Sequence, residues 1–153
     1  MKVTRIIATT LVSMSMALFL GCGEQKTASL EGHEDKVAVL QKLVDCLDTP
    51  ETAAEIYAED AVLKWQDYDT AQWREQKGLN EIQKYYKDKG IDNRYVKLDI
   101  SDIKEDAKGA HVEYQITLQD RGSGIELKSK CSAEMVNQGQ GWKVKNAISK
   151  RFE

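Results

Sequence analysis

The chain changes its hydrophobic period part-way along, which predicts helices first and strands afterwards. In 34–47 the apolar residues recur every three or four positions, which predicts a helix with one buried face. A Thr-Pro helix start signal opens a second predicted helix over 49–58. A short strand over 60–65 and a third helix over 78–89 follow, so the first half of the chain is mainly helical.

After Gly90 apolar and polar residues alternate, which is typical of strands with one buried face. Four such strands are predicted, over 94–100, 110–118, 125–136 and 142–148. The connections between them are short and contain glycine, which favours an antiparallel sheet. Helices collected on one side of such a sheet make an α+β domain.

The N-terminus has the pattern of a signal peptide. Lys2 and Arg5 precede a mostly apolar run over 6–20, which is short for a membrane span but suits a signal-peptide core. The run ends in Gly21-Cys22, which resembles the lipobox of bacterial lipoproteins. In that family the chain is cut before the cysteine, and the cysteine receives fatty acyl chains such as palmitate.

The lipobox resemblance implies a division of the chain into three parts. These are a signal peptide over 1–21, a lipidated Cys22 with a flexible polar tether over 22–33, and a folded domain over 34–153. Gly23 stands where an aspartate would indicate retention at the inner membrane. The resemblance therefore implies a lipid-anchored protein of the cell envelope, and it favours the outer membrane, facing the periplasm, over the inner membrane.

Composition and charge narrow the class of partner. The chain has 22 basic and 25 acidic side chains, and the first 21 residues hold only Lys2 and Arg5. The remainder therefore carries 20 basic and 25 acidic side chains, a net charge of −5. A mildly acidic domain argues against a dedicated nucleic-acid binder, which needs a basic face. An apolar fraction of 41% and a charged fraction of 31% are typical of a globular domain.

Three landmarks stand in a recognisable order: Ile-Tyr-Ala-Glu-Asp-Ala-Val at 56–62, Gly-Leu-Asn-Glu-Ile at 78–82 and Gly-Trp-Lys-Val at 141–144. With the order of elements they resemble the nuclear transport factor 2-like superfamily, including its SnoaL-like branch. The resemblance implies a cone-shaped α+β fold, with N-terminal helices packed on a curved antiparallel sheet around a pocket. Members include isomerases, dehydratases, cyclases, ligand binders and interaction domains, so the fold does not assign a function.

The alternation of the strands predicts which side chains face the pocket. Tyr57 and Tyr86 join from the helical part, and Trp65 and Trp142 form apolar walls. The predicted pocket-lining residues are Tyr57, Trp65, Tyr86, Tyr114, Ser129, Trp142 and Asn146, with Cys131 on the same face. His111 and Glu113 alternate with Tyr114 and are therefore predicted to point away from the pocket.

Asp60 is the candidate catalytic carboxylate, because it matches a position that is often aspartate in the superfamily. It is either a base in the pocket or a structural carboxylate that accepts backbone N–H groups, and the structural role is the favoured one. Asp67 and Asp69 are predicted on a solvated loop over the pocket mouth. The cluster of Trp65, Tyr68 and Trp73 packs as a lid, lines a ligand entrance or forms a patch that binds a partner.

Lipidation of Cys22 leaves Cys46 and Cys131. The two form either a disulfide, worth about 4–5 kcal/mol for a loop of this length, or two separate buried thiols. His33 and His111 have no metal-ligand spacing, and no cofactor motif is present, so neither a metal nor a cofactor is expected.

Three functions remain open from the sequence. The first is a lipid-anchored, non-catalytic module that binds a small apolar ligand or an envelope protein. The second is a pocket enzyme of dehydratase or isomerase type, with Asp60 as base and Tyr114 or Tyr57 as hydrogen-bond donor. The third is an envelope assembly protein that docks through the lysine-rich outer face of its sheet. The inward face and the lipobox favour the first, as a monomer or weak homodimer that does not bind nucleic acid.

Overall fold

The structure, a computed structural model, describes residues 30–152. The predicted signal peptide, Cys22 and the tether up to residue 29 lie outside these residues. The described part contains α1 (Glu34–Gln41), α2 (Ala53–Ile56), α3 (Leu79–Gly90), β1 (Tyr57–Gln66), β2 (Trp73–Lys77), β3 (Asn93–Asp106), β4 (Gly109–Asp120), β5 (Glu126–Asn137) and β6 (Trp142–Arg151). No helix within residues 30–152 combines the length and hydropathy that crossing a membrane requires.

The six strands form one sheet in the order β2-β1-β6-β5-β4-β3. Four neighbouring pairs are antiparallel, but β1 and β6 are parallel. The expectation of a wholly antiparallel sheet is therefore wrong at this pair. Parallel neighbours need a long connection between them, and here α3 and four strands separate β1 from β6. Hairpin-like turns predict only the pairs that they join.

Strand β2 was not predicted, because residues 66–76 show no alternation of apolar and polar residues. The strand lies at the sheet edge and leaves four of its five side chains exposed. It pairs with β1 through partners such as Trp65 and Arg74. With both faces accessible to solvent, an edge strand carries little hydrophobic pattern.

Strand β6 contains a bulge that changes which residues face the helices. Met135 pairs with Val144, whereas the preceding Glu134 pairs with Asn146, so Lys145 is an extra residue in β6. Val144 and Ala147 are consequently both buried. The simple alternation from 142 to 148 therefore holds only up to the bulge.

Strand β3 has two similar irregularities, one of them between Tyr95 and Lys97. Tyr95 pairs with buried Leu118 and packs into the core, while Val96 is exposed. Strict alternation predicts the reverse for these two residues. Val96 is the extra residue of this bulge. Because of it, Leu98 returns to the inner face and packs against the core.

The core lies between the helices and one face of the sheet. Its largest fully buried side chains are Leu40, Cys46, Ile56, Ile82, Val112, Met135 and Val144. Burial of each large apolar side chain contributes about 1.5–3 kcal/mol. Gly90 allows the end of α3 to approach the chain after α1, because a Cβ there would lie 1.9 Å from the Leu47 carbonyl oxygen.

The chain enters the domain through an ordered turn at 30–33, which the sequence had assigned to the tether. The His33 amide donates to the Leu30 carbonyl at 3.1 Å. Lys36 is buried, with its ammonium 2.8 Å from Glu105 and 4.2 Å from the centre of the Trp142 ring. These contacts fix the start of α1 against the ends of β3 and β6.

Candidate functional site

An enclosed cavity of about 20 Å³ lies between α3, the loop after β1 and the inner face of the sheet. We call it the aromatic cavity; it is lined by Leu47, Trp65, Gln66, Tyr68, Tyr85, Lys89, Tyr95, Ile116, Leu118, Ser129 and Ser149. Its volume is enough for about one water molecule. The interior at this point is therefore filled almost completely by the protein's own side chains.

Aromatic rings make a continuous wall along the cavity. The Trp65 and Tyr85 ring centres lie 5.0 Å apart. Tyr86 continues the row behind them, at 5.1 Å from Tyr85 and 6.4 Å from Tyr95, with its ring edge-on to both. Such tilted and edge-on pairs are favourable aromatic contacts, so the wall is rigid and apolar.

Tyr68 covers the cavity from the loop between β1 and β2. Its hydroxyl is hydrogen-bonded to the hydroxyl of Ser129, which is buried on β5. The Tyr68 carbonyl accepts a hydrogen bond from Arg151. Tyr68 is thus attached to two strands through its side chain and its backbone, and it closes the site.

Asp67 holds the same loop in shape. Its carboxylate accepts hydrogen bonds from the backbone N–H groups of Asp69, at 3.0 Å, and Thr70, at 2.9 Å. The Thr70 N–H is the main cause that lowers the pKa of Asp67. Asp67 therefore serves the loop as an ionised acceptor, which is more specific than the solvated role predicted for it.

Three buried polar atoms in or beside the cavity have no hydrogen-bond partner within the described residues. They are the indole Nε1 of Trp65, Oε1 of Gln66 and Nε of Arg151. The Lys89 ammonium lies 4.5 Å from the centre of the Trp65 ring. A buried polar group without a partner costs about 1–3 kcal/mol. These atoms favour a polar guest, either water or a ligand.

Among residues 30–152, the side chains that line the cavity include no carboxylate and no imidazole. Burial raises the pKa of Tyr85, and a hydrogen bond from Tyr95 only partly opposes this effect. Burial also raises the pKa of Tyr95 and of Tyr68. Hydroxyls with raised pKa values keep their protons at neutral pH, so these tyrosines act as hydrogen-bonding groups rather than as bases.

The structure separates the residues that were predicted to line one pocket. Trp65 and Ser129 lie on the cavity wall. Tyr57, Tyr86 and Tyr114 are buried but do not line it. The hydroxyls of Tyr57 and Tyr86 are 2.7 Å apart and bond to each other, so they are satisfied inside the core.

Asn146 and Trp142 are corrections to the predicted pocket. The bulge at Lys145 turns Asn146 to the outer face of the sheet, where its side-chain amide donates to Glu134 at 2.7 Å. Trp142 packs on the Lys36 ammonium at the start of α1. Neither residue lines the aromatic cavity.

Asp60 does not reach the cavity, so the less favoured alternative, a base in the pocket, is wrong. Its side chain is 71% exposed and pairs with the Lys145 ammonium. The hydrogen bond from Lys145 is the main cause that lowers the pKa of Asp60. The pairing of β1 with β6 is irregular between Tyr57 and Val62, and this irregular segment leaves Asp60 in solvent.

Cys46 and Cys131 are two separate buried thiols rather than a disulfide in this structure. The Cys46 sulfur contacts the Lys42 carbonyl at 3.8 Å, and the Cys131 sulfur contacts the Ser149 hydroxyl at 3.4 Å. Burial raises the pKa of each thiol to about 12. Both thiols are therefore protonated at neutral pH.

Sequence reasoning missed several residues of the wall. Tyr85 and Lys89 are four residues apart on α3 and so share one helix face, a signal that was available. Tyr95 was concealed by the bulge after it, and Ser149 lies one residue beyond the predicted end of the last strand. No local pattern identifies a bulge, because it depends on the partner strand.

His111 and Glu113 lie on the outer face of β4, 2.6 Å apart and about half exposed. This places both residues opposite the core, on the face that the alternation of β4 indicates. Within residues 30–152 no three His, Cys, Asp or Glu side chains are grouped as a metal site would require.

Comparison with known proteins addresses the fold. No protein-family model matches this sequence, and no curated protein matches it. A domain of unknown function with a cystatin-like fold from Nostoc punctiforme PCC 73102 superposes with a TM-score of 0.66 at 15% identity, covering 84% of this chain and 80% of that chain. A ketosteroid isomerase-like protein from Erwinia carotovora atroseptica SCRI1043 superposes with a TM-score of 0.62 at 16% identity, covering 79% of this chain and 93% of that chain.

An NTF2-like protein with a cystatin-like fold from Novosphingobium aromaticivorans gives a TM-score of 0.63 at 13% identity, covering 81% of this chain and 84% of that chain. The chain has a nuclear transport factor 2-like fold. The predicted fold class, an α+β domain with N-terminal helices packed on a curved sheet, is confirmed, apart from the parallel pair of β1 and β6. Identities this low show the fold alone and do not assign a function to this domain.

Proposed function

We propose that this protein is a lipid-anchored envelope protein whose nuclear transport factor 2-like domain binds a small ligand in the aromatic cavity without transforming it. The observation that carries the proposal is the group of three buried polar atoms without partners, at Trp65, Gln66 and Arg151. A ligand that pairs with them recovers the cost of their burial. The tyrosines of the wall hold their protons, which supports binding rather than acid–base chemistry.

Ligand entry requires Tyr68 to move. Small-molecule pockets usually measure about 300–1,000 Å³, far more than the closed cavity of about 20 Å³. Movement of Tyr68 breaks its hydrogen bond to Ser129, which is worth about 1 kcal/mol. It also frees the space of a phenol ring beside the aromatic wall. A ligand of about that size can take the place of the Tyr68 ring, and its own burial offsets the exposure of that ring.

Native mass spectrometry of the protein purified from its own cells tests this proposal. The wild type is expected to carry extra mass that is lost on denaturation. Ser149→Leu fills the cavity and is expected to remove that mass, because Ser149 lines the wall. Ser132→Leu is the matched control, since Ser132 pairs with exposed Ile148 and lies on the opposite face of the sheet. A bare wild type, or bound mass retained by Ser149→Leu, would contradict the proposal.

The proposed anchor rests on the lipobox ending in Cys22. Several acyl chains on one residue give stable membrane attachment, at ~0.8 kcal/mol per buried CH₂ group. The chain from Cys22 to the ordered turn at Leu30 spans at most about 28 Å when extended. The anchor would therefore keep the cavity close to the membrane surface.

Detergent phase partitioning and the intact mass of the mature protein test the anchor. The wild type is expected in the detergent phase, with a mass that starts at Cys22 and includes acyl groups. Cys22→Ser is expected in the aqueous phase. A wild-type mass without acyl groups would refute the anchor and leave the cavity proposal standing.

A further inference from the structure

We infer that the ligand of the aromatic cavity is a small aromatic carboxylic acid, whose carboxylate is held between the Lys89 ammonium and the indole N–H of Trp65. This inference rests on the proposed ligand-binding function and specifies its ligand class. It follows from the charge of the wall, from the position of the unpaired donors and from the shape of the space that Tyr68 vacates.

The charge of the site favours an anion. Of the described residues, Lys89 is the one charged side chain on the cavity wall. Arg151 adds a second cation behind Tyr68, to whose carbonyl it donates. Three acids lie nearby: Asp67 in the loop that closes the cavity, and Glu81 and Asp88 on α3, beside Trp65 and Lys89. Each already has a partner, since Asp67 accepts hydrogen bonds from its own loop, Glu81 accepts one from the Lys77 N–H, and Asp88 pairs with Lys84. The attraction of Lys89 is one of the smaller causes that lower the pKa of Asp67, after the Thr70 N–H group.

Two donors at Trp65 are available to a carboxylate. The Trp65 Nε1–H is buried without a partner, and the Lys89 ammonium lies 4.5 Å from the centre of the same indole ring. A carboxylate has two oxygens, so it can accept from the indole with one and from the ammonium with the other. A hydrogen bond to an ionised group is about twice as strong as a neutral one.

The contact between Lys89 and Trp65 argues against a cationic ligand. An aromatic cage binds a cation through the faces of its rings, and Lys89 already lies over the face of Trp65. A second cation would meet the repulsion of the ammonium at this position. An anion instead gains from the same charge.

The shape of the site favours a single planar ring. The walls on either side are the rings of Tyr85 and Tyr95 and the apolar side chains of Ile116 and Leu118. Displacement of Tyr68 removes one phenol from this space and frees Ser129 on the opposite wall. A guest ring takes the place of the phenol, and a hydroxyl on that ring could donate to the unpaired Oε1 of Gln66.

Calorimetric titration of the full-length protein with three single-ring probes of similar size tests the ligand class. Benzoate is anionic, benzamide is neutral and benzylamine is cationic at neutral pH. Benzoate is expected to bind tightest, with an affinity that falls as salt is added. Lys89→Met is expected to weaken benzoate about tenfold or more and to leave benzamide nearly unchanged.

Lys87→Met is the matched control, because Lys87 is exposed and lies two residues earlier on α3. It is expected to leave the binding of all three probes unchanged. Trp65→Phe keeps an aromatic wall but removes the N–H, and it is expected to weaken benzoate more than benzamide. Thermal unfolding of each variant confirms that the loss is not a loss of folding.

The outcomes separate this inference from the proposed function. Benzamide binding as tightly as benzoate, or benzylamine binding tightest, would overturn the ligand class while leaving a ligand-binding cavity. A protein that carries a native ligand yet binds none of the probes would also overturn it. A protein that binds none of the probes and is bare when purified from its own cells would contradict the proposed function itself.

Discussion

Removal of the Tyr68 hydroxyl tests whether Tyr68 is the closing element of the cavity. In Tyr68→Phe the ring remains, but the Ser129 hydroxyl loses the partner it has in the folded protein. Ser129 is only 2% exposed, and an unpaired buried hydroxyl costs about 1–3 kcal/mol. A water in the adjoining cavity could recover part of that cost. We therefore expect the free energy of unfolding to fall by about 1–2 kcal/mol.

The assay is urea unfolding of four proteins: wild type, Tyr68→Phe, Ser129→Ala and the double variant. The double variant is expected to be no less stable than Tyr68→Phe, because neither hydroxyl is then left in the core. The cycle should give a coupling energy of about 1 kcal/mol between the two side chains. Tyr68→Phe should also bind benzoate more tightly, since opening no longer breaks a hydrogen bond.

Two results would refute this reasoning. Unchanged stability in Tyr68→Phe would show that the hydroxyl contributes nothing to closure. Strictly additive losses in the double variant would show that the two hydroxyls do not interact in solution.

Three further predictions concern the fold. Gly90→Ala should lower the free energy of unfolding by about 3 kcal/mol, because its Cβ would meet the backbone at Leu47. Gly122→Ala is the control and should change it by less than about 1 kcal/mol, because its Cβ would lie 3.4 Å from the nearest atom. Similar losses for the two variants in urea unfolding would contradict this prediction. Cys46 and Cys131, each with a pKa of about 12, should resist a thiol reagent in the native protein at pH 8. Both should react once the protein is denatured without reductant. If neither thiol reacts in the denatured protein, the two form a disulfide. Backbone N–H groups, chiefly that of Ser123, lower the pKa of Asp120. The contribution of Asp120 to stability is therefore complete above its unfolded pKa of about 3.9, and it is lost as the pH falls through the lower pKa of the folded state. Asp120→Asn should therefore reduce the loss of stability between pH 7 and pH 3, and an unchanged loss in urea unfolding would contradict the assignment.

The hydrophobic pattern predicted the elements whose faces differ most in burial. The third helix and the four long strands follow from it because each has one apolar side and one polar side. The edge strand β2 was missed, because both of its faces are open to solvent and its residues carry no periodic signal. The parallel pairing of β1 with β6 was missed because the turns in the sequence report only on neighbouring hairpins.

The candidate site was predictable only where alternation is regular. Ser129 was placed on the inner face correctly because β5 stays regular from 126 to 134. Asn146 and Tyr95 were assigned to the wrong faces because single-residue bulges reverse the alternation beside them. A bulge is a property of two paired strands, so one strand's sequence does not reveal it.

Asp60 shows the limit of resemblance to a family. The motif at 56–62 resembles a superfamily motif in which aspartate is frequent at the position of Asp60. In the structure the irregular start of β1 leaves Asp60 exposed, where it pairs with Lys145. The aromatic cavity was identified by a different kind of information. It depends on contacts between Tyr68, Ser129 and Lys89, which are far apart in the sequence and meet only in the folded chain.

The most direct test of the central claim follows the indole N–H signals of the three tryptophans by NMR as benzoate is added. Variants with phenylalanine at Trp65, Trp73 and Trp142 assign the signals. We predict that the Trp65 signal shifts in a saturable way, while those of exposed Trp73 and of Trp142, which packs on Lys36, stay in place. A Trp65 signal that does not move at saturating benzoate, or a shift confined to the other two, would contradict a ligand site in the aromatic cavity.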